Sequence, residues 1–114
     1  MGRASQRKGR NGEIELANLL NEYGIPARPG NPMSYGKTPD IVGIHQIHAE
    51  VKRTEKTHLN AWIAQATEDA EKFGDGAPTI FHRMSRQPWL VTMKLKDWVR
   101  LYKKGLDDNE IEDI

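Results

Sequence analysis

The chain has 114 residues and a net charge of +1, with 37% hydrophobic residues, 29% charged residues and no cysteine. This length predicts a single folded domain. No apolar run approaches the ~20 residues that a transmembrane helix needs, so we expect no membrane span. The basic start lacks the apolar segment of a secretory signal, and the lack of cysteine excludes disulfides and thiolate metal sites. These features favour the reducing cytoplasm.

The net charge conceals an uneven distribution along the chain. Residues 1–12 hold four basic residues and no acidic one, whereas residues 107–114 hold five acidic residues and no basic one. Residues 1–106 contain 17 basic and 11 acidic residues and therefore carry +6. This pattern fits either a polyanionic partner such as nucleic acid or two solvated, charged termini. We expect one domain over residues 1–106, with a basic arm at residues 1–10 and a flexible acidic tail.

Hydrophobic periodicity and turn residues predict seven elements in the order α-β-β-α-β-β-α. The predicted helices cover residues 11–23, residues 61–73 and a short segment around residues 98–102. The predicted strands cover residues 40–44, 47–52, 78–84 and 89–95. Residues 26–39 are rich in glycine and proline and are expected to form an irregular loop. After Gly105 the apolar content is too low to favour a packed element.

The strand predicted at residues 47–52 carries the most informative polar residues. Its alternation places His48, Glu50 and Lys52 on one face, and a hairpin brings Asp40 from the preceding strand towards Glu50. Converging carboxylates repel each other unless a cation lies between them, and oxygen ligands favour Mg²⁺ or Mn²⁺. With Lys52 to orient a water or add positive charge, such a site suits phosphodiester hydrolysis. From spacing alone, a charged surface hairpin with one cross-strand salt bridge is the favoured interpretation.

Several segments resemble one superfamily of nucleases. The letters PD at residues 39–40 and EVK at residues 50–52, separated by nine residues, resemble the PD-(D/E)XK nuclease motif. The string RKGRNGEIELANLL at residues 7–20 is similar to the opening helix of the archaeal and phage Holliday-junction-resolvase-like branch, and PDIVG, EVKRTEK and the closing hairpin follow in that branch's order. The resemblance covers about residues 7–101. It implies an α/β fold with a restriction-endonuclease-like core, a central mixed β-sheet flanked by helices.

The resemblance also implies roles for individual residues. Asp40 and Glu50 are the expected metal-binding carboxylates, the backbone carbonyl of Val51 is a further ligand, and Lys52 is the catalytic lysine. Glu13 in the first predicted helix is the acid that completes the site. Six basic residues are expected to contact phosphates without reading bases: Arg7, Lys8, Arg10, Arg28, Arg53 and Lys56.

Other residues allow a less specific interpretation. Gln65 matches a polar residue that some branches place beside the catalytic lysine, and it equally suits a solvated position on the second helix. The histidine spacing matches no zinc motif, and the favoured interpretation of His48 is a surface imidazole. Three tryptophans lie on three different elements and are expected in the core or in a dimer interface rather than in a row for stacking bases: Trp62, Trp89 and Trp98.

The sequence therefore predicts a Mg²⁺- or Mn²⁺-dependent DNA endonuclease, most similar to phage-type resolvases of branched DNA. The superfamily's products, 5′-phosphate and 3′-hydroxyl ends, are expected here. Symmetric cutting of two strands implies a homodimer. No membrane partner and no small-molecule cofactor is expected. Two alternatives stay open: a nuclease for flap, nicked or plain duplex DNA, and a DNA-binding accessory protein without cleavage, against which the complete motif argues.

Overall fold

A computed structural model describes residues 3–31 and 38–113 of the chain, with side chains described for residues 9–31 and 38–107. The elements in chain order are α1 (Arg3–Glu22), β1 (Arg28–Pro29), β2 (Ile41–Val42), β3 (Ile47–Arg53), α2 (Leu59–Phe73), β4 (Ala77–Arg83), β5 (Leu90–Met93) and α3 (Leu95–Asp113). Within these described ranges, no helix combines the length and apolar character needed to cross a membrane.

The five strands form one mixed sheet in the order β1-β2-β3-β4-β5. The pair β3 and β4 is parallel, and the other neighbouring pairs are antiparallel. A parallel pair requires a crossover connection, and α2 supplies it between these two strands. The predicted α/β fold, a mixed sheet flanked by helices, is confirmed.

The central strand β3 is covered on both faces. On one face, Ala49 and Val51 belong to the main core together with Leu16 of α1. Side chains alternate along a strand, so His48 points to the other face, where the ring of Phe73 from α2 stacks on the imidazole. The face of β3 that carries the polar residues is therefore covered at His48, while Glu50 and Lys52 are half-buried. This face carries the candidate site.

Three boundaries differ from the predictions, each for a local reason. The first helix begins at Arg3 rather than near residue 11, because the arginine, lysine and glutamine residues of the predicted arm are good helix formers. The short strand Arg28–Pro29 lies inside the segment expected to be irregular, and it pairs with β2. Leu95, placed in a strand by the sequence, instead begins α3, and this helix continues past Gly105 to Asp113. Flexibility of the acidic tail stays a prediction.

The three tryptophans lie in different environments. Trp89 packs against the main core, as expected from the sequence. The ring of Trp62 packs against that of His82, with 5.7 Å between their centroids. Trp98 is half exposed on α3 and stacks on Tyr102 of the same helix.

Candidate active site

Asp40 is held in place at the point where the chain enters β2. Its Oδ2 accepts a hydrogen bond of 2.8 Å from the backbone N–H of Val51 on the neighbouring strand β3. The backbone N–H of Gly30 donates to the carbonyl of Asp40, also at 2.8 Å. A Cβ atom on Gly30 would collide with the carbonyl oxygen of Pro39, so glycine is required for this close approach. Backbone contacts on both sides therefore fix the Asp40 carboxylate beside β3.

Three carboxyl groups from three different elements converge here: Glu13 of α1, Asp40 before β2 and Glu50 of β3. Burial raises the pKa of Asp40 to about 7, and the negative charges of Glu50 and Glu13 contribute to the increase. Burial also raises the pKa of Glu13, with the charge of Glu50 adding to the effect and Arg10 opposing it. The structure thus brings together the three predicted acids, and their negative charges act on one another.

Glu50 differs from Asp40 because its carboxylate lies within hydrogen-bond distance of the His48 imidazole. Burial acts to raise the pKa of Glu50, but hydrogen bonds with His48 and Asp40 outweigh it, so that the net shift is downward. The opposite pKa shifts mean that Glu50 gives up its proton more readily than Asp40 does, so that a single proton at this pair favours Asp40. A cation that replaces this proton would meet two carboxylates side by side.

The position of His48 differs most from what the sequence predicted for this site. Its side chain is fully buried, so the interpretation as a surface imidazole is wrong. Its Nε2 lies 2.9 Å from Oε1 of Glu50, and its Nδ1 lies 2.8 and 3.0 Å from the two carboxylate oxygens of Asp75. Burial lowers the pKa of His48, but the hydrogen bonds with Glu50 and Asp75 reverse this, and the net shift is upward. A protonated His48 donates to both carboxylates at once.

Asp69 of α2 is a further acid at the site, and the sequence analysis missed it. Ligand atoms of His48, Glu50 and Asp69 all lie within 4.8 Å of one another, close enough to hold a metal ion. Gln65, one turn earlier, is exposed, and its Nε2 donates to Oδ1 of Asp69 at 3.2 Å. Gln65 thus contacts the site through Asp69. The four-residue spacing, which places both side chains on one helix face, was the available signal.

Lys52 and Val51 complete the predicted motif on β3. Lys52 is half buried and, by alternation along the strand, shares the face of Glu50. Val51 takes part in the site through its N–H, which binds Asp40. The use of its carbonyl as a metal ligand stays a prediction.

The side chain of Arg10 forms hydrogen bonds within the protein, although the sequence predicted that it contacts a DNA phosphate. Its Nη1 donates to Oε1 of Glu13 at 3.2 Å and to the carbonyl oxygen of Gly30 at 3.1 Å. Arg10 therefore connects α1, which carries Glu13, with the segment around Gly30. Gly30 in turn binds the backbone of Asp40. Contact with DNA would require Arg10 to exchange these partners.

The other predicted phosphate-binding residues are differently placed. Arg53 is half buried and donates to the carbonyl of Arg83 at 2.9 Å. Arg28 on β1 and Lys56 after β3 are exposed. The side chains of the remaining two lie outside the described residues: Arg7 and Lys8.

The donor set fits a hard divalent cation. Asp40 and Glu50 offer oxygen ligands, which Mg²⁺ and Mn²⁺ prefer. Burial and the charge of Glu50 raise the pKa of Asp40, so a cation at this position would favour its ionised form. Both ring nitrogens of His48 already have carboxylate partners, so the imidazole has no lone pair to offer without losing one of them. The carboxylates, rather than the imidazole, are therefore the ligands that this arrangement favours.

The chain matches no model of a known protein family and no curated protein. Among solved structures it is similar to Archaeoglobus fulgidus Hjc, a Holliday junction resolvase from an archaeal hyperthermophile. The two chains are 22% identical over 75% of this chain and 72% of that one, with a TM-score of 0.56. The likeness shows that this chain has the fold of that resolvase.

Proposed function

We propose that this protein is a divalent-metal-dependent DNA endonuclease that cuts branched DNA, as expected of a protein similar to a Holliday junction resolvase. One observation carries the proposal: the carboxyl groups of Glu13, Asp40 and Glu50 lie close enough for their charges to act on one another. Lys52 lies two residues after Glu50 on the same face of β3. The shared fold with the archaeal resolvase supports it.

Asp40 and Glu50 would hold the ion, with the carbonyl of Val51 as a further ligand. Mg²⁺ or Mn²⁺ would lower the pKa of the attacking water and neutralise charge that develops on the phosphate. Lys52 orients that water and adds positive charge next to the scissile phosphate. Glu13 takes part through a water molecule, and Arg10 keeps its carboxylate in place.

The surface charge favours a nucleic acid as the substrate. Residues 1–106 carry +6, and the exposed side chains of Arg28 and Lys56 are available for phosphates. Contacts of this kind position a duplex without reading its bases. Discrimination between junctions and other DNA would then come from the shape of the substrate and from pairing of two protein copies.

Cleavage assays test the proposal directly. Labelled four-way junction, flap and linear duplex are incubated with the protein in Mg²⁺, Mn²⁺ or EDTA, next to Asp40→Asn and Lys52→Ala. We expect metal-dependent cutting of the junction that falls by about 100-fold or more in both variants. Glu22→Gln and Lys72→Ala change exposed residues of the same types and serve as controls.

Each outcome decides between the proposed function and an alternative. Cutting in EDTA, or an Asp40→Asn variant as active as the wild type, would overturn the mechanism. Equal cutting of all three substrates would leave a nuclease without junction preference. Tight DNA binding without cleavage in every metal would instead identify a non-cleaving accessory protein.

A further inference from the structure

The beginning of α2 carries an aromatic pair at the edge of the candidate active site. Trp62, in the first turn of this helix, is half-buried, and its ring packs against that of His82 on β4 with 5.7 Å between the centroids. The ring of His58, which is exposed just before α2, meets that of Trp62 edge to face at 6.3 Å. The pair therefore connects a ring that is anchored on the sheet with an imidazole at the surface.

This aromatic pair lies next to the predicted catalytic lysine. The strands β3 and β4 are parallel, and Lys52 pairs with His82. Paired residues on neighbouring strands place their side chains on the same face of the sheet, so Lys52 lies beside the ring that Trp62 contacts. Asp69, whose carboxylate lies near that of Glu50, follows Trp62 by seven residues, which is two turns. One side of α2 therefore carries both Trp62 and the acid of the candidate site, about 10 Å apart along the helix axis.

The loop in front of α2 is held by the turn between β4 and β5. The carboxylate of Glu55 accepts hydrogen bonds from the backbone N–H of Ser85, at 3.1 and 3.2 Å, and from its hydroxyl at 3.0 Å. At the end of β3, Arg53 donates to the carbonyl of Arg83 at 2.9 Å. Residues 55–61 are nevertheless all exposed. The loop is thus open to a ligand and already positioned for it, which lowers the ordering cost of binding.

Aromatic rings beside positive charge are the means by which proteins hold unpaired nucleotides. Stacking of a base on a ring tolerates any sequence, because every base has a π-face. Lys56 is exposed two residues before His58 and is available for a phosphate. Inside a continuous duplex a base is stacked on both neighbours, and removing it from the stack costs free energy. A base that has already lost a neighbour or its pairing partner costs less, so this surface favours a nucleotide at an interruption of the duplex.

We propose that Trp62 and His58 bind the substrate by stacking on a base that the branch point of the DNA leaves unstacked. This contact rests on the proposed function, and it identifies the feature of branched DNA that the site recognises. The distance of about 10 Å between Trp62 and Asp69 along α2 corresponds to about three nucleotides of a DNA strand. The base therefore lies within about three nucleotides of the scissile phosphate. Because stacking does not read the identity of a base, the preference is for DNA structure rather than sequence.

Junctions that lack a single base test this contact without cleavage. An abasic site is placed in turn at each position within about three nucleotides of the branch, and binding of the full chain is measured in Ca²⁺. At one or more positions, loss of the base should weaken binding of the wild type by about tenfold. Trp62→Leu should bind the intact junction about tenfold more weakly and no longer distinguish it from the abasic one. Trp62→Phe keeps a ring and should retain most of the distinction.

Exposed residues of the same types outside the site provide matched controls. Trp98→Leu and His45→Ala should keep the full tenfold distinction between intact and abasic junctions. His58→Ala, at an exposed position, should reduce it by about threefold. Equal binding of both DNAs by the wild type at every position would overturn the proposal. A Trp62→Leu variant that loses the same factor against both DNAs would also overturn it, because Trp62 would then only support the fold.

Photochemical crosslinking of the wild-type chain gives a readout that no substitution can disturb. A 5-iodouracil replaces the base at the position that the abasic series identifies, and mass spectrometry locates the crosslinked residue. We expect Trp62 or His58, and a crosslink only to other residues, or none, would overturn the proposal. Base-dependent junction binding without cutting in Mg²⁺ or Mn²⁺ would overturn the proposed function and leave the stacking contact intact. Normal cutting without base dependence would do the reverse.

Discussion

The Nε2 of His48 lies 2.9 Å from Oε1 of Glu50, and the imidazole is completely buried. On its other side, Nδ1 binds both oxygens of Asp75, and Phe73 stacks on the ring. These contacts on three sides restrict the orientation of the imidazole. The hydrogen bond with Nε2 in turn restricts the orientation of the Glu50 carboxylate. His48 therefore positions the carboxylate on which the candidate metal site depends.

The first prediction concerns this positioning role. His48→Ala should lower metal-dependent cleavage by about 10–100-fold, because residues that orient a metal ligand typically have effects of this size. Cleavage should recover in part as the Mg²⁺ concentration is raised, since a disordered Glu50 weakens metal binding rather than the chemical step. Titration of cleavage rate against Mg²⁺ measures this shift.

His48→Ala also tests stability, and Asp75→Asn provides the comparison. Loss of the imidazole leaves two carboxylates without their donor and should cost about 1–3 kcal/mol in the free energy of unfolding. Asp75→Asn keeps the size of the side chain and the contact with Nδ1, so its cleavage should fall less than that of His48→Ala. A His48→Ala enzyme with the wild-type Mg²⁺ dependence would show that His48 supports only the fold.

The second prediction follows from the pKa of Asp40, which burial raises from 3.8 to about 7. Between these pH values the folded chain binds more protons than the unfolded chain, so stability falls as the pH rises through this window. Thermal unfolding in EDTA should show this loss, of at most about 2–4 kcal/mol. Asp40→Asn should flatten the profile, and Mg²⁺ should raise the stability of the wild type most at neutral pH. A wild-type profile that matches that of Asp40→Asn would contradict the raised pKa of Asp40.

Asp40 and Glu50 could be predicted from the sequence because strand alternation and a hairpin bring them together, whereas Glu13 was implied only by the family resemblance and Asp69 was missed. Asp40 and Glu50 had to approach each other once β2 and β3 paired, and the structure also brings Glu13 to them. Burial of His48 could not be predicted from the sequence. Strand alternation shows on which face of the sheet a side chain lies, but it does not show what covers that face. The crossover helix α2 covers it, and Phe73 and Asp75 at its end are recognisable as partners only in three dimensions.

Helix ends were harder to predict than the site. Residues 3–10 read as a charged arm and residues after Gly105 as a tail, since neither has enough apolar residues to pack. Both continue a helix in the structure. The arginine, lysine and glutamine residues of segment 3–10 have good helix propensity, and the one glycine at position 105 costs too little to end α3.

The third prediction separates Glu13 from the metal ligands. Glu13→Gln should reduce cleavage by about 10–100-fold while leaving DNA affinity unchanged or slightly higher, since one negative charge is removed near the substrate. Its Mg²⁺ dependence should change less than that of His48→Ala, because Glu13 acts through water. Cleavage rates at saturating Mg²⁺ and binding to junction DNA in Ca²⁺ measure the two effects. Loss of binding equal to the loss of cleavage would instead indicate a structural role for the Glu13 and Arg10 pair.

The fourth prediction decides how far the site extends onto α2. Asp69 lies beside His48 and Glu50, whereas Gln65 is exposed and contacts the site through Asp69. Asp69→Asn should therefore lower cleavage by about tenfold or more, and Gln65→Ala by no more than about threefold. Glu68→Gln, at the exposed position next to Asp69, is the matched control and should cleave like the wild type. A larger loss in Gln65→Ala than in Asp69→Asn would mean that the glutamine touches the substrate directly, as the resemblance to some nuclease branches implies, and that α2 turns a different face to DNA.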